Sequence, residues 1–195
     1  MPRIVSQPAS NRKAQENFSK TVAEPVDLSD IESFLSEELR QKLKRLYPKG
    51  EVYLWGIRPG STKDKREKWA RVSEGDVALF AWDNAYRTCA RVTATTENAE
   101  LARELWETDS DGRTWQLIYF LDDPQSCSVP YEEFNEAAGY ASNNVPQGFA
   151  VLSEEKSQQI LDQLDLPVSP DVADEWPTTW WVNQGSTYRR HRELG

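Results

Sequence analysis

Apolar positions along the chain change their period several times, and each change marks an element. Over Asp27 to Tyr47, Ile31, Phe34, Leu35, Leu39, Leu43 and Leu46 recur at spacings of three and four, which places them on one face of a helix. Ser29 followed by Glu32 reads as the capping box of that helix. From Glu51 the period shortens. Val52 to Ile57, Asp76 to Trp82 and Tyr86 to Thr93 read as strands broken by Pro59-Gly60, Glu74-Gly75 and Asp83-Asn84, the last predicting a hairpin. Asn98 to Glu107 then predicts a short helix, Asp109 to Gly112 a tight turn and Thr114 to Leu121 a strand. A second short helix over Pro130 to Ala138, a strand over Gln147 to Leu152 and a closing helix over Ser153 to Leu164 complete an α+β order.

The flanks lack such patterns. Residues 1–26 mix Ser, Gln, Asn, Lys and Pro without periodicity and are expected to form a disordered or loosely attached arm. The folded domain is then 27–165, with an N-terminal helix, and 166–178, rich in proline and acids, reads as a linker. Residues 179–195 start strand-like with Trp180, Trp181 and Val182. A lone strand is not stable by itself, so this tail either joins the main sheet or opens a truncated second domain; the second is the expectation adopted.

Composition narrows the chemistry. The 195 residues include two cysteines, Cys89 and Cys127, and one histidine, His191, too few for a disulfide framework, a four-ligand zinc site or most triads. Glu154-Glu155-Lys156 has the acid-x-Lys spacing of a metal-dependent nuclease but falls on a surface helix. Asp109-Ser110-Asp111-Gly112 is a fragment of a calcium loop whose other ligands are missing, and there is no glycine-rich phosphate loop. No catalytic residue, metal or cofactor is therefore assigned. No apolar run nears the roughly 18 residues of a membrane helix, and Met1 to Ser10 is no signal peptide. A cytoplasmic protein with no membrane partner is expected.

A formal net charge of -9 argues against nucleic acid until the positions are considered. Arg40 to Arg71 holds eleven cations against Glu51, Asp64 and Glu67, whereas Thr96 to Thr178 holds 18 acids against Arg103, Arg113 and Lys156. Eight tryptophans accompany this segregation. Rings ordinarily fill a core, and charge runs are ordinarily solvated loops. Here, however, cations and rings interleave: Trp55-Gly56-Ile57-Arg58 is followed by Lys63, Lys65, Arg66 and Lys68, then Trp69 and Arg71. Cations that hold phosphates beside rings that stack bases are the general arrangement for an exposed nucleotide.

At these residues the chain resembles the EVE-like branch of the PUA superfamily, relatives of the YTH readers of methylated adenine. It resembles more closely the N-terminal recognition domains of modification-dependent, McrBC-type (type IV) restriction systems. The matching stretches are Val52 to Arg58, Trp69 with Gly75 to Phe80, Tyr86 ahead of Ala90-Arg91-Val92, and Leu101-Ala102 to Leu105-Trp106. They continue with Gly112 to Trp115 leading to Ile118 to Leu121, Gly139-Tyr140, and Gln147-Gly148-Phe149. The tail Trp180 to Tyr188 resembles the start of another EVE-type domain, which implies a longer natural protein.

The resemblance implies a curved β-barrel-like sheet flanked by helices, with a pocket for one modified base. Carried over by position, Trp55 and Trp69 become facing walls, with Trp82 and Tyr86 as further candidates and Gly56 allowing the backbone to approach the ligand. Arg58, Lys63, Lys65, Arg66, Lys68 and Arg71 are the candidate phosphate contacts. Asn143, Asn144 and Gln147 are candidate base-edge readers, or simply a polar loop. The chain departs from such relatives in carrying Lys63 to Lys68 where a small polar residue is expected before Trp69, which leaves the recognised base open. The function implied is a non-catalytic module that flips and reads a modified base, methylated adenine or 5-substituted cytosine, in double-stranded DNA. It would target a restriction effector domain or subunit. A protein-interaction domain with an aromatic core, or an RNA-binding adaptor, are the alternatives.

Overall fold

The computed structural model describes residues 1–60, 63–106, 108 and 111–168. Its elements run β1 (Ile4–Pro8), α1 (Arg12–Phe18), a π-helical turn (Ser19–Ala23), β2 (Val26–Asp27), α2 (Leu28–Ile31), a 3-10 turn (Glu32–Phe34), α3 (Glu37–Leu46) and β3 (Glu51–Ile57). They continue with α4 (Asp64–Trp69), β4 (Val77–Trp82), β5 (Ala85–Glu97), α5 (Ala99–Leu105), β6 (Leu117–Leu121), β7 (Gln125–Pro130), α6 (Tyr131–Ala137), β8 (Ala150–Val151) and α7 (Glu154–Gln163). The architecture is α+β.

One eight-stranded sheet runs in the order β2-β3-β6-β5-β4-β1-β8, with β7 paired to β5 off that path. Its ends, β2 and β8, are two residues each and do not pair with one another, so the sheet stays open and the barrel expected from the resemblance is not closed. The 13-residue β5 joins the halves: Ala85 to Arg91 pairs with β4, and Val92 to Glu97 pairs with β6. The turn entering it places Asp83 and Asn84 at φ 49° and 59°, the left-handed pair a two-residue hairpin needs.

Both faces of the sheet are covered, which is why β4 (VALFAW) and β6 (LIYFL) read as continuous apolar runs. Val5, Trp55, Ile57, Ala78, Phe80, Val92 and Tyr119 point to one side, where Phe18 and Val22 from α1 and the π-helical turn join them. Ile4, Val77, Leu79, Tyr86 and Cys89 point to the other, under α6 and α7. Leu54, Ile118 and Phe120 do likewise under α2, α3 and α5.

Residues 1–26 correct the sequence reading. They are not a loose arm: β1 lies parallel to β4, with Ile4 opposite Val77 and Pro8 opposite Ala81, and antiparallel to β8. Ile4 and Val5 are fully buried. The buried carboxylate of Asp76 accepts from Arg3 N at 2.7 Å and Ser73 N at 2.8 Å, which ties the first strand to the turn before β4. Burial pushes that carboxyl up, although those two donors and Arg3 pull against it.

The helix expected over Asp27 to Tyr47 is also broken. Its apolar face is as expected, with Ile31, Leu35 and Leu43 in the core. However, Leu35 and Ser36 are extended, and Ser36 caps α3 by accepting from Leu39 N, while Asp27, rather than Ser29, caps α2. Leu166 and Val168, assigned to the linker, pack on the α6–α7 cluster. The rest of the linker and the tail 179–195 lie outside the described residues.

Candidate functional site

Where β1 ends and β3 runs out into Arg58-Pro59-Gly60, the elements leave a cavity of about 370 Å³. Gln7 and Pro8 come from the end of β1, and Asn11 and Ala14 from the cap and first turn of α1, where Asn11 Oδ1 accepts from Ala14 N at 2.9 Å. Trp55 to Gly60 supply the floor and one side, Lys65 of α4 reaches in, and Arg113, Trp115, Gly148 and Phe149 close the remainder. Arg58, Lys65 and Arg113 therefore bring three cations to one cavity, of which Arg113 is paired with the exposed Asp111 at 2.5 Å. Among the described residues no carboxylate lines it. Larger cavities of about 480 and 410 Å³ carry Glu38 and Glu74, and Glu51, Asp122 and Asp123, respectively, which suits them poorly to a polyanion.

The rings here differ from the expected pair. Trp55 is on the cavity but only 2% exposed, because Phe18 and Phe80 meet it edge-on at 6.4 and 5.4 Å. It forms a floor rather than an open wall. Trp69 is half-buried against the same core cluster and is not among the lining residues. Trp82 packs on Phe18 at 5.1 Å, outside the lining as well. Tyr86 is buried on the opposite face of the sheet, with its hydroxyl 2.7 Å from Ser6 Oγ, and desolvation there pushes its phenol up. The more accessible ring is Trp115, over which the Arg58 guanidinium lies at 4.4 Å.

Gly56 lines the cavity and is also required for packing. A Cβ there would meet Trp106 Cζ3 at 2.5 Å and Trp115 Cβ at 2.7 Å, so its missing side chain lets Trp115 close onto β3. Of the buried polar side-chain atoms without a hydrogen-bond partner among the described residues, two belong to lining residues: Trp55 Nε1 and Gln7 Oε1. One is a donor and the other an acceptor. Buried polar groups are nearly always paired, but Asn17, Trp69, Trp106, Thr114 and Tyr119 carry such atoms away from the lining too, so these two are candidate base contacts and not a signature of the cavity.

The candidate phosphate contacts separate into two groups. Lys63 to Trp69, expected as a loop, is α4 with its preceding cap residue, and Lys63, Lys65 and Lys68 stand exposed on it without a carboxylate partner among the described residues. Arg66 instead pairs with Glu97, whose carboxyl that guanidinium holds below its usual range. Arg71 donates to Val151 O at 2.7 Å and Leu152 O at 3.4 Å, fastening β8.

The expected edge readers lie elsewhere. Asn144 and Gln147 line a neighbouring cavity of about 340 Å³ together with Tyr86, while Asn143 is exposed and lines neither. Sequence reasoning missed Gln7, Asn11, Arg113, Trp115 and Phe149 as site residues. The first two were hidden by the dismissal of residues 1–26. Trp115 and Phe149 stand at the ends of two of the quoted motif stretches.

No protein-family model and no curated protein matches this sequence. Among solved structures, the N-terminal domain of McrB from Thermococcus gammatolerans, bound to m5C DNA, aligns with a TM-score of 0.60 and 16% identity, covering 82% of this chain and 95% of that one. The two chains share a fold. Weaker likenesses are Atu2648 of Agrobacterium tumefaciens (TM-score 0.41, 13% identity, 87% of this chain and 99% of that one) and Rpa0253 of Rhodopseudomonas palustris (0.35, 9%, 83% and 92%).

Proposed function

We propose that this chain is a non-catalytic recognition module of the EVE-like, McrB-type kind. In this reading it takes one modified base, methylated adenine or 5-substituted cytosine, out of double-stranded DNA into the cavity between Trp55, Trp115 and Phe149, and so directs a restriction effector domain or subunit. The observation that carries the reading is that cavity: rings on its lining together with Arg58, Lys65 and Arg113, the last of them paired with Asp111 beside it. The fold shared with a domain solved on m5C DNA supports it.

The energetics set the division of labour. Extruding a base costs a few kcal/mol, and stacking on a ring returns about 1–3 kcal/mol per base, so ring contact roughly offsets extrusion. Net affinity then comes from phosphate contacts by Arg58, Lys63, Lys65 and Lys68, with Arg113 added from the structure. Burying a methyl group contributes only about 0.8 kcal/mol, so discrimination needs polar contacts as well. Trp55 Nε1 and Gln7 Oε1, an unsatisfied donor and acceptor on lining residues, are the candidates for that purpose, and because both atoms are buried a base would have to uncover them on entry.

Fluorescence anisotropy with matched duplexes tests the reading. Duplexes carrying 5-methylcytosine or N6-methyladenine are compared with unmodified ones. A preference for one modified duplex is expected, and Trp115→Ala should weaken it about tenfold, within the range of a lost base–ring stack. Equal affinity for all three duplexes would remove base reading from this chain.

A further inference from the structure

We infer that the loop joining α6 to β8 is an insertion element, and that its exposed Val145 enters the base stack at the position the extruded base vacates. This rests on the base-extrusion reading above and adds the part that holds the base out.

Four observations meet on this loop. Among the described residues, the exposed large hydrophobic side chains are Met1, Tyr140 and Val145; two of these three are here, Val145 being 47% exposed. The loop also passes from one face of the sheet to the other: Val145 and Pro146 line a cavity with Tyr86 and Phe134 on the α6 side, Gly148 lines both that cavity and the base cavity, and Phe149 at its end lines the base cavity on the Trp55 side. Third, its charge fits a polyanion: Ala137 to Ser153 contains no charged residue, within a stretch, Thr96 to Thr178, that holds 18 acids. Finally, the loop is held in shape. The buried Asn135 amide donates to Ser142 O at 3.1 Å and to Asn144 O at 2.8 Å, and Asn144 Nδ2 returns a bond to Asn135 Oδ1 at 3.3 Å. At its root, Lys156 donates to Ala138 O at 2.6 Å and lies 4.0 Å over the Tyr140 ring.

An apolar side chain held in water on a preorganised loop gains by moving into the slot between base pairs, which is the chemistry of an intercalating wedge. Filling the slot opposes return of the flipped base. A wedge acts only where there is a stack to enter, so its loss should be felt on duplex DNA and not on a substrate whose base is already free.

The test compares the full chain with Val145→Gly and Val145→Leu on two probes: a matched duplex carrying the preferred modified base, and the same modified strand unpaired. Val145→Gly should bind the duplex about tenfold more weakly while holding the single strand within about twofold, and Val145→Leu should restore duplex binding. A 2-aminopurine next to the modified base should brighten less with Val145→Gly than with the wild type. Equal effects on the two probes, or none on either, would overturn the wedge while leaving base reading intact. If the wild type binds modified and unmodified strands alike in both forms, the base-reading proposal and the wedge fall together.

Discussion

At Gly56 the backbone of β3 lies so close to its neighbours that even a methyl group would collide with the Trp115 carbonyl oxygen and sit 2.5 Å from Trp106 Cζ3. Both obstacles are buried or half-buried rings with their backbone, not the free end of a flexible chain, so they cannot simply swing aside. Overpacking of this kind commonly costs 1–3 kcal/mol. Gly56→Ala is therefore expected to lower unfolding stability by about 2 kcal/mol or more, read as a fall in the urea midpoint at unchanged slope. Because Trp115 must move to make room, modified-duplex binding should drop with it. An unchanged midpoint would show that β3 and Trp115 do not approach this closely. The same residue carries a demand that sequence did not reveal: the glycine, expected to let a ligand approach and itself on the cavity lining, also lets Trp115 and Trp106 close onto β3.

Among the elements, β1 has the largest consequence for its length. Ile4 N donates to Ser157 Oγ of α7 at 2.9 Å, its carbonyl accepts from Leu152 N at 3.0 Å, and its side chain is fully buried. Val5, one residue on, faces the opposite core cluster. Ile4→Ala should cost about 3 kcal/mol, and a chain lacking residues 1–10 should show no cooperative urea transition, because β8 and α7 lose the strand they dock on. Normal folding of that truncated chain would restore the view of this segment as an arm. Sequence alone did not reveal β1, because only Ile4 and Val5 are apolar before polar residues resume, and its partner Val77 lies far along the chain. The half-exposed β7, whose residues alternate around polar side chains, escaped for a similar reason. The strands under two cores were legible, since burial on both faces writes an unbroken apolar run, and so was the hairpin at Asp83-Asn84. The site was legible only in part. Trp55, Gly56, Arg58 and Lys65 follow from rings and cations interleaving in one stretch, whereas Gln7, Trp115 and Phe149 reach the cavity through strand pairing that no local pattern encodes.

For the molecule as a whole, a net charge of -9 is compatible with DNA because the charge is segregated in space and not only along the chain. The carboxylates of α6 and α7 sit on elements that cover the opposite face of the sheet from Trp55. Of the exposed lysines on and before α4, Lys65 lines the cavity with Arg58 and Arg113, and Lys63 and Lys68 lie within a turn of it along the chain. Not every cation contributes equally: Lys42 is paired with Glu74 at 2.5 Å, Lys44 with Glu32 at 2.6 Å and Arg113 with Asp111 at 2.5 Å, while Arg66 and Arg71 hold Glu97 and the carbonyls of Val151 and Leu152. This division yields a graded expectation for salt. Each phosphate contact steepens the dependence of log affinity on log salt by about 0.9 on duplex DNA. Replacing Lys63, Lys65 and Lys68 together by Gln should therefore flatten the slope by about 0.9 for each lysine that touches phosphate, measured by anisotropy from low to physiological salt. The ratio between modified and unmodified duplexes should stay as in the wild type, because phosphate contacts position the protein and do not read the base. Arg66→Gln should change the slope less than any one of the lysines, since its guanidinium is already engaged by Glu97. A triple lysine variant with the wild-type slope would move the DNA path away from α4, and one that lost selectivity along with affinity would make these lysines part of the reading and not of the grip.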